Sequence, residues 1–157
     1  DQQLIQELKS ICIDGYSFYN MVAKKSVNSE IRMLFREMAL VRAEIVNDID
    51  NRFSGLRQTQ PCDTELALTV RAIYKLTYDM CSDIIDTVGL ADLEAMEMRS
   101  LEIFKIYVRR MSDRRMSSYL AGHLANIQSQ INEIKQNFES KLSKDFVIFE
   151  KSIKTLR

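Results

Sequence analysis

The stretch from Glu30 to Ile49 places its apolar residues at steps of three and four positions. These residues are Ile31, Leu34, Met38, Val41, Ile45 and Ile49. An α-helix turns once every 3.6 residues, so this spacing puts them on one face and predicts an amphipathic helix. The same spacing returns between Arg115 and Ile134. We interpret the two stretches as partner helices at the centre of an all-helical bundle.

The composition favours a single domain built from long helices. The chain has 157 residues, with only one proline and four glycines to interrupt a helix. The apolar spacing predicts helical segments over residues 2–26, 29–56, 65–88 and 92–111, and from 113 to at least 138. Gln58–Asp63 holds the proline and is the clearest break, Asp63 or Thr64 can cap the third helix, and Gly89 is suited to end it. We therefore predict one domain over 1–157, with a core at about 3–138 and a C-terminal extension at 139–157.

Two parts of the chain share a pattern of helical hairpins. Tyr16–Ile49 aligns with Leu101–Ile134 without a gap, although Asn47/Asn132 and Ile49/Ile134 are the only identical pairs. Two antiparallel hairpins joined by a long segment are the layout of a four-helix bundle with one crossover. A crossover helix over 65–88 would be about 36 Å long at a rise of 1.5 Å per residue, enough to connect the two ends.

Charge and cysteine content exclude several classes of protein. Lys plus Arg and Asp plus Glu both total 22, so the chain lacks the strong basic excess of a dedicated nucleic-acid binder. The three cysteines, Cys12, Cys62 and Cys81, form no C-x-x-C pair, which argues against a disulfide framework or a zinc knuckle and favours a reducing, cytoplasmic setting. No apolar run approaches the roughly 18 residues of a membrane span, and the first ten residues do not resemble a signal peptide.

Three short stretches resemble a known family. They are L-I-x-x-x-x-x-I-C-x-D-G-x-x-x-Y from Leu4 to Tyr19, I-R-x-L-F-R-E-M-A from Ile31 to Ala39 with Arg42 after it, and H-L-A-N-I from His123 to Ile127. Together they resemble the bacterial, ferritin-like four-helix-bundle family of unknown function that is often linked to stress proteins. The resemblance covers about residues 3–135. It implies a ferritin-like bundle, a cytoplasmic protein and no established activity.

A di-iron centre of the ferritin-like type is not expected. Such centres use two Glu-x-x-His motifs, and this chain has one histidine, His123, with Leu120 three positions before it. The remaining candidate ligands near the apolar stripe are Glu37, Glu44, Glu94 and Glu97. We expect Glu37 and Glu44, which flank the apolar stripe, to lie at the rim of the core and His123 to be a hydrogen-bonded residue at its edge, so that no residue is assigned to catalysis, cofactor or metal. The alternative is an iron site rich in carboxylates.

Two small residues of the first helix lie on its apolar face. Cys12 is expected to be a small buried hydrophobe, because nothing in the sequence places His123 beside it to make a nucleophile. A glycine in the middle of a helix lowers the stability of the helix by roughly 1 kcal/mol relative to alanine, so the presence of Gly15 requires an explanation. We favour close approach of the backbone of a neighbouring helix over room for a ligand or ion.

The C-terminal extension keeps the helical spacing of the residues before it. Leu142, Phe146, Phe149, Ile153 and Leu156 continue the apolar face. A helix from Asp113 to Arg157 would be about 66 Å long and the second helix only about 40 Å, so the end overhangs or bends back near Ser143–Asp145. An overhanging apolar stripe needs a partner, and we expect it to dock on the crossover helix or on another subunit.

Three functions follow from these observations. The leading one is a non-enzymatic, ferritin-like bundle, related to stress, that acts through protein contacts and self-association. The second is an iron-binding or ferroxidase-like protein with a carboxylate-rich site. The third is a partner-binding or chaperone-like module that uses the C-terminal stripe. None of them involves nucleic acid or a membrane.

Overall fold

The computed structural model contains five α-helices and, in the parts of the chain that it describes, no strand. It describes the backbone of residues 2–26, 29–53, 64–80 and 87–155, and most side chains within 2–26, 29–53, 64–78 and 93–136. The helices are α1 (Gln2–Lys25), α2 (Ser29–Arg52), α3 (Glu65–Met80), α4 (Thr87–Arg110) and α5 (Arg114–Thr155). The all-helical fold class predicted from the sequence is confirmed.

The first two helices and the last two form the predicted antiparallel hairpins. In the first hairpin, Lys9 near the start of α1 pairs with Asp50 near the end of α2.

The turn of the second hairpin contains the cap of α5. The carboxylate Oδ1 of Asp113 accepts from the backbone N–H of Arg115 at 2.9 Å and of Met116 at 3.1 Å. These bonds satisfy donors that the first turn of a helix leaves unpaired.

The structure describes the first part of the predicted crossover helix. The helix α3 runs from Glu65 to Met80 and is about 24 Å long, and the predicted continuation over 81–86 lies outside the described residues. Gly89 does not end a helix but lies in the first turn of α4, which begins at Thr87. A glycine that ends a helix usually takes a positive φ, and no glycine in the described part of the chain has one. At the other end, the Thr64 hydroxyl accepts from the backbone N–H of Ala67 at 3.3 Å and caps α3 as expected.

The helix α3 packs between the two hairpins and runs parallel to α1. Three contacts keep the same register along the two helices: Glu7 with Thr64, Asp14 with Arg71, and the stacked rings of Phe18 and Tyr74. The closest helix pairs form a five-helix ring in the order α1, α2, α5, α4, α3 and back to α1. The helix α3 is therefore one of the packed helices of the bundle as well as part of the connection between the two hairpins.

The predicted apolar stripes form the core. In α2 the stripe is buried except for Val41, which packs against the core as a half-buried residue. In α5 the buried stripe consists of Met116, Leu120, Leu124, Ile127, Ile131 and Ile134. Full burial of one such side chain stabilises the fold by about 1.5–3 kcal/mol relative to its exposed state. Across the described residues, none of the helices combines the length and apolar character needed to cross a bilayer.

Candidate functional site

A buried ion pair lies where α1, α2, α3 and α4 face one another. The guanidinium Nη2 of Arg42 donates to Oε2 of Glu97 at 2.5 Å, and the two side chains are only 4% and 2% exposed. Nη1 of Arg42 donates to the backbone carbonyl of Met38 at 2.9 Å. An ion pair removed from water needs such additional hydrogen bonds to offset the loss of hydration.

Two tyrosines complete the coordination of the Glu97 carboxylate. The hydroxyls of Tyr19 and Tyr74 both donate to Oε1, the second at 2.8 Å. The guanidinium carbon of Arg42 also lies 4.6 Å from the centre of the Tyr19 ring, a cation–π distance. Both oxygens of this carboxylate are therefore engaged by side chains from the other helices.

Gly15 provides the space for this ion pair. A Cβ atom at this position would lie 2.7 Å from Cδ and 2.8 Å from Nε of Arg42, and 3.0 Å from the Tyr74 hydroxyl. These nearest neighbours are side-chain atoms, so the expected close approach of another helix's backbone is wrong, and the Arg42 side chain lies across the glycine instead. The space beside Gly15 is therefore occupied by the Arg42 side chain and is not open to a ligand or ion.

Burial and the Glu97 carboxylate control protonation in this cluster. Burial raises the pKa of the Cys12 thiol from its ordinary 9.0 to about 12, while Arg42 acts in the opposite direction and Glu97 adds to the rise. Burial, reinforced by Glu97, raises the pKa of Tyr19 and Tyr74 well above 10.0. For Arg42, burial alone would lower the pKa, but attraction to Glu97 raises it above its ordinary value. A buried thiol that keeps its proton is a poor nucleophile.

We expect the free energy of unfolding to fall as the pH rises from about 9 toward about 12. In this window the unfolded chain releases the Cys12 proton while the folded protein retains it, and the two tyrosines act in the same way above pH 10.0. The unfolded state is then favoured. Urea unfolding at several pH values measures how steeply the free energy of unfolding falls with pH. Tyr74→Phe should reduce this slope, and the exposed control Tyr16→Phe should leave it unchanged. If the unfolding free energy changed equally with pH in the unsubstituted protein and in both variants, the pH dependence would not come from the buried tyrosine.

His123 lies at the edge of the core, in a separate network with Asp48. Its Nε2 is 2.9 Å from Oδ2 of Asp48, and the side chain is 12% exposed. The Tyr119 hydroxyl donates to the same carboxylate oxygen, and Arg52 stacks over the Tyr119 ring at 4.0 Å. The expectation of a hydrogen-bonded histidine at the core edge is confirmed.

The five candidate metal ligands are not brought together. Glu37 and Glu44 are exposed on α2, and Glu94 is half-buried on α4. Glu97 is buried on α4 and pairs with Arg42. Among the side chains that the structure describes, no group of three or more His, Cys, Asp or Glu residues could hold a metal ion. Cys62 and Cys81 lie outside the described residues.

A pocket of about 400 Å³ lies between α3 and α4, next to the start of α1. Apolar side chains of α3 and α4 form much of its wall, among them Val70, Ile73, Met96 and Ile103. Glu7 of α1 contributes a carboxylate that is only 5% exposed. Its size is in the range of small-molecule sites, and the sequence did not point to it.

No known family model matches the chain, and comparison with curated proteins and with solved structures gave no match. The resemblance to the ferritin-like family of unknown function, which rests on residues 4–19, 31–39 and 123–127, stays a prediction.

Proposed function

We propose that this chain is a non-enzymatic helical bundle of the ferritin-like type that acts through protein contacts. In this proposal the C-terminal part of α5 docks on a second copy of the chain. The family resemblance adds a bacterial, cytoplasmic setting and a link to stress. Two antiparallel hairpins joined by a long connection support the ferritin-like layout, although α3 stands between α1 and α4 in the five-helix ring.

The length of α5 is the observation that carries the proposal. This helix runs unbroken for 42 residues, or about 63 Å, whereas its hairpin partner α4 has 24 residues and is about 36 Å long. The two helices run antiparallel from the turn that joins them, so α4 can accompany α5 only over a stretch of its own length. The later turns of α5 extend past the start of α4, and that helix cannot cover them.

The sequence of this extension indicates why it needs a partner. Leu142, Phe146, Phe149 and Ile153 recur at helical spacing and form an apolar stripe, although their side chains lie outside the described residues. Leu156 lies beyond the described end of α5. A second copy supplies an identical stripe, and two such helices can bury each other along a symmetric contact.

Removal of residues 140–157 is expected to convert a self-associated protein into a monomer. Light scattering on the full chain should give at least twice the mass of one chain, and on the shortened chain the mass of one. The double variant Phe146→Ser/Phe149→Ser should behave as the shortened chain does. The control Lys151→Ser, at an exposed position of the same helix, should retain the mass of the full chain. A full chain that is monomeric at micromolar concentration, or a mass unchanged by the truncation, would overturn the proposal.

A separate measurement tests the non-enzymatic, metal-free part of the proposal. The Glu97 carboxylate, which would be the most buried ligand of an iron site, already binds the Arg42 guanidinium and two tyrosine hydroxyls. Metal quantification on protein purified without chelator should therefore find no stoichiometric iron. Stoichiometric iron that is lost in Glu37→Ala would favour the iron-binding alternative instead.

A further inference from the structure

The carboxylate of Glu7 is buried at the pocket between α3 and α4. The side chain is 5% exposed, and it accepts a hydrogen bond from the neutral hydroxyl of Thr64. Within the described part of the chain, no lysine, arginine or histidine forms an ion pair with it. Removal of a carboxylate from water is costly unless a positive group or several hydrogen bonds replace the hydration.

The basic side chains close to Glu7 along α1 and α3 are engaged elsewhere. Lys9, two positions further along α1, pairs with Asp50 of α2. Arg71, which follows Thr64 by two turns on α3, donates to Asp14 at 3.0 Å. The fold therefore provides a cation for Asp14 of the same helix but leaves the Glu7 carboxylate facing a pocket.

The pocket at Glu7 has the size and lining of a site for a small amphiphile. Its volume of about 400 Å³ corresponds to about a dozen water molecules at roughly 30 Å³ each, or a ligand with about that many non-hydrogen atoms. Apolar side chains from α3 and α4 form the wall, and Tyr107 adds an aromatic ring. Among the described residues, the charged side chains that line it are those of Glu7, Glu65 and Arg99, two acids and one base, so their excess charge is negative.

We propose that this pocket binds a small organic cation, a primary amine attached to an apolar body. The ammonium group donates to the Glu7 carboxylate, and the body packs against Val70, Ile73, Met96 and Ile103. A charge-assisted hydrogen bond is stronger than a hydrogen bond between neutral groups. This proposal is independent of the contact made by the end of α5, because the pocket lies between α3 and α4.

Three probes with the same body and different head groups test the proposal on the full chain. Calorimetric titration with phenylbutylamine should show saturable binding to one site. Phenylbutanol, which has the same body and no charge, should bind at least about ten-fold more weakly, since it cannot form the charge-assisted bond. Phenylbutanoate should bind more weakly still, because its carboxylate would face that of Glu7.

Variants of the lining separate the role of Glu7 from general apolar binding. Glu7→Gln keeps an acceptor for the Thr64 hydroxyl and removes the charge, so the affinity for the amine should fall about ten-fold and the preference over the alcohol should disappear. The control Glu65→Gln removes an exposed carboxylate from the same pocket and should change the affinity for the amine by less than about two-fold. Thr69→Trp, at an exposed position of the rim, should weaken all probes equally by filling the pocket.

Circular dichroism melting checks that each variant is folded, and Thr69→Trp keeps the test decisive if Glu7→Gln is unstable. Three results would overturn the proposal. The alcohol could bind as tightly as the amine, Glu7→Gln could leave the affinity for the amine unchanged, or the amine could show no saturable binding at millimolar concentration.

Discussion

Glu97→Gln is expected to lower the free energy of unfolding by about 3–5 kcal/mol, because it leaves the Arg42 guanidinium buried without a counter-charge. The single carbonyl oxygen of the glutamine can still accept from the hydroxyls of Tyr19 and Tyr74, but its NH2 group replaces the oxygen that accepts from Arg42. The loss therefore combines the counter-charge with that one hydrogen bond. Arg42→Met should cost a similar amount, since it leaves the carboxylate without its cation. Urea unfolding followed by circular dichroism measures both.

The double variant Arg42→Met/Glu97→Gln is the control for this interpretation. It removes both charges together and keeps a side chain of similar length at each position. We expect it to cost at least about 2 kcal/mol less than the sum of the two single variants, because neither group is left charged and alone. A cost equal to that sum would show that the pair is not coupled and would contradict the argument.

Gly15→Ala is expected to destabilise the protein by about 1–3 kcal/mol, although alanine is the better helix former. The new Cβ would lie 2.7 Å from Cδ and 2.8 Å from Nε of Arg42, well inside contact distance. The arginine cannot easily move away, because Glu97 holds one end of its guanidinium and the Met38 carbonyl holds the other. Thermal and urea unfolding of the variant measure the loss.

Gly122→Ala is the matched control, and it should increase the stability of the protein rather than lower it. Gly122 is also inside a helix, but a Cβ there meets nothing within 4 Å. Alanine should therefore stabilise the protein by up to about 1 kcal/mol through helix propensity alone. If both variants stabilise the protein, the close contact of Gly15 with Arg42 is not the reason for that glycine.

The helical architecture could be predicted from the sequence because local spacing determines which face of each helix is buried. The stripes of α2 and α5 are recovered almost residue by residue, and so are the turn at Asp113 and the cap at Thr64. The position of α3 could not be predicted in this way. Apolar spacing indicates that a helix has a buried face but does not say which helices cover it.

The interior cluster left a signal in the sequence, but an ambiguous one. Arg42 stands four positions after Met38 and three before Ile45, so it shares their buried face. Glu97 follows Met96, and the sequence alone offers it as a candidate metal ligand. A charged residue within an apolar stripe indicates a buried partner of opposite charge. Only the packing of the helices shows that Arg42 and Glu97 are each other's partners.

The order of packing in the five-helix ring has a consequence for how the chain folds. The contact between Glu7 and Thr64 spans 57 positions along the chain, and that between Tyr19 and Glu97 spans 78. Closing such long loops costs more chain entropy than forming a hairpin from adjacent helices. The two hairpins can therefore form early, while α3 and the last polar bonds of the interior are added late, when the ends of the ring meet.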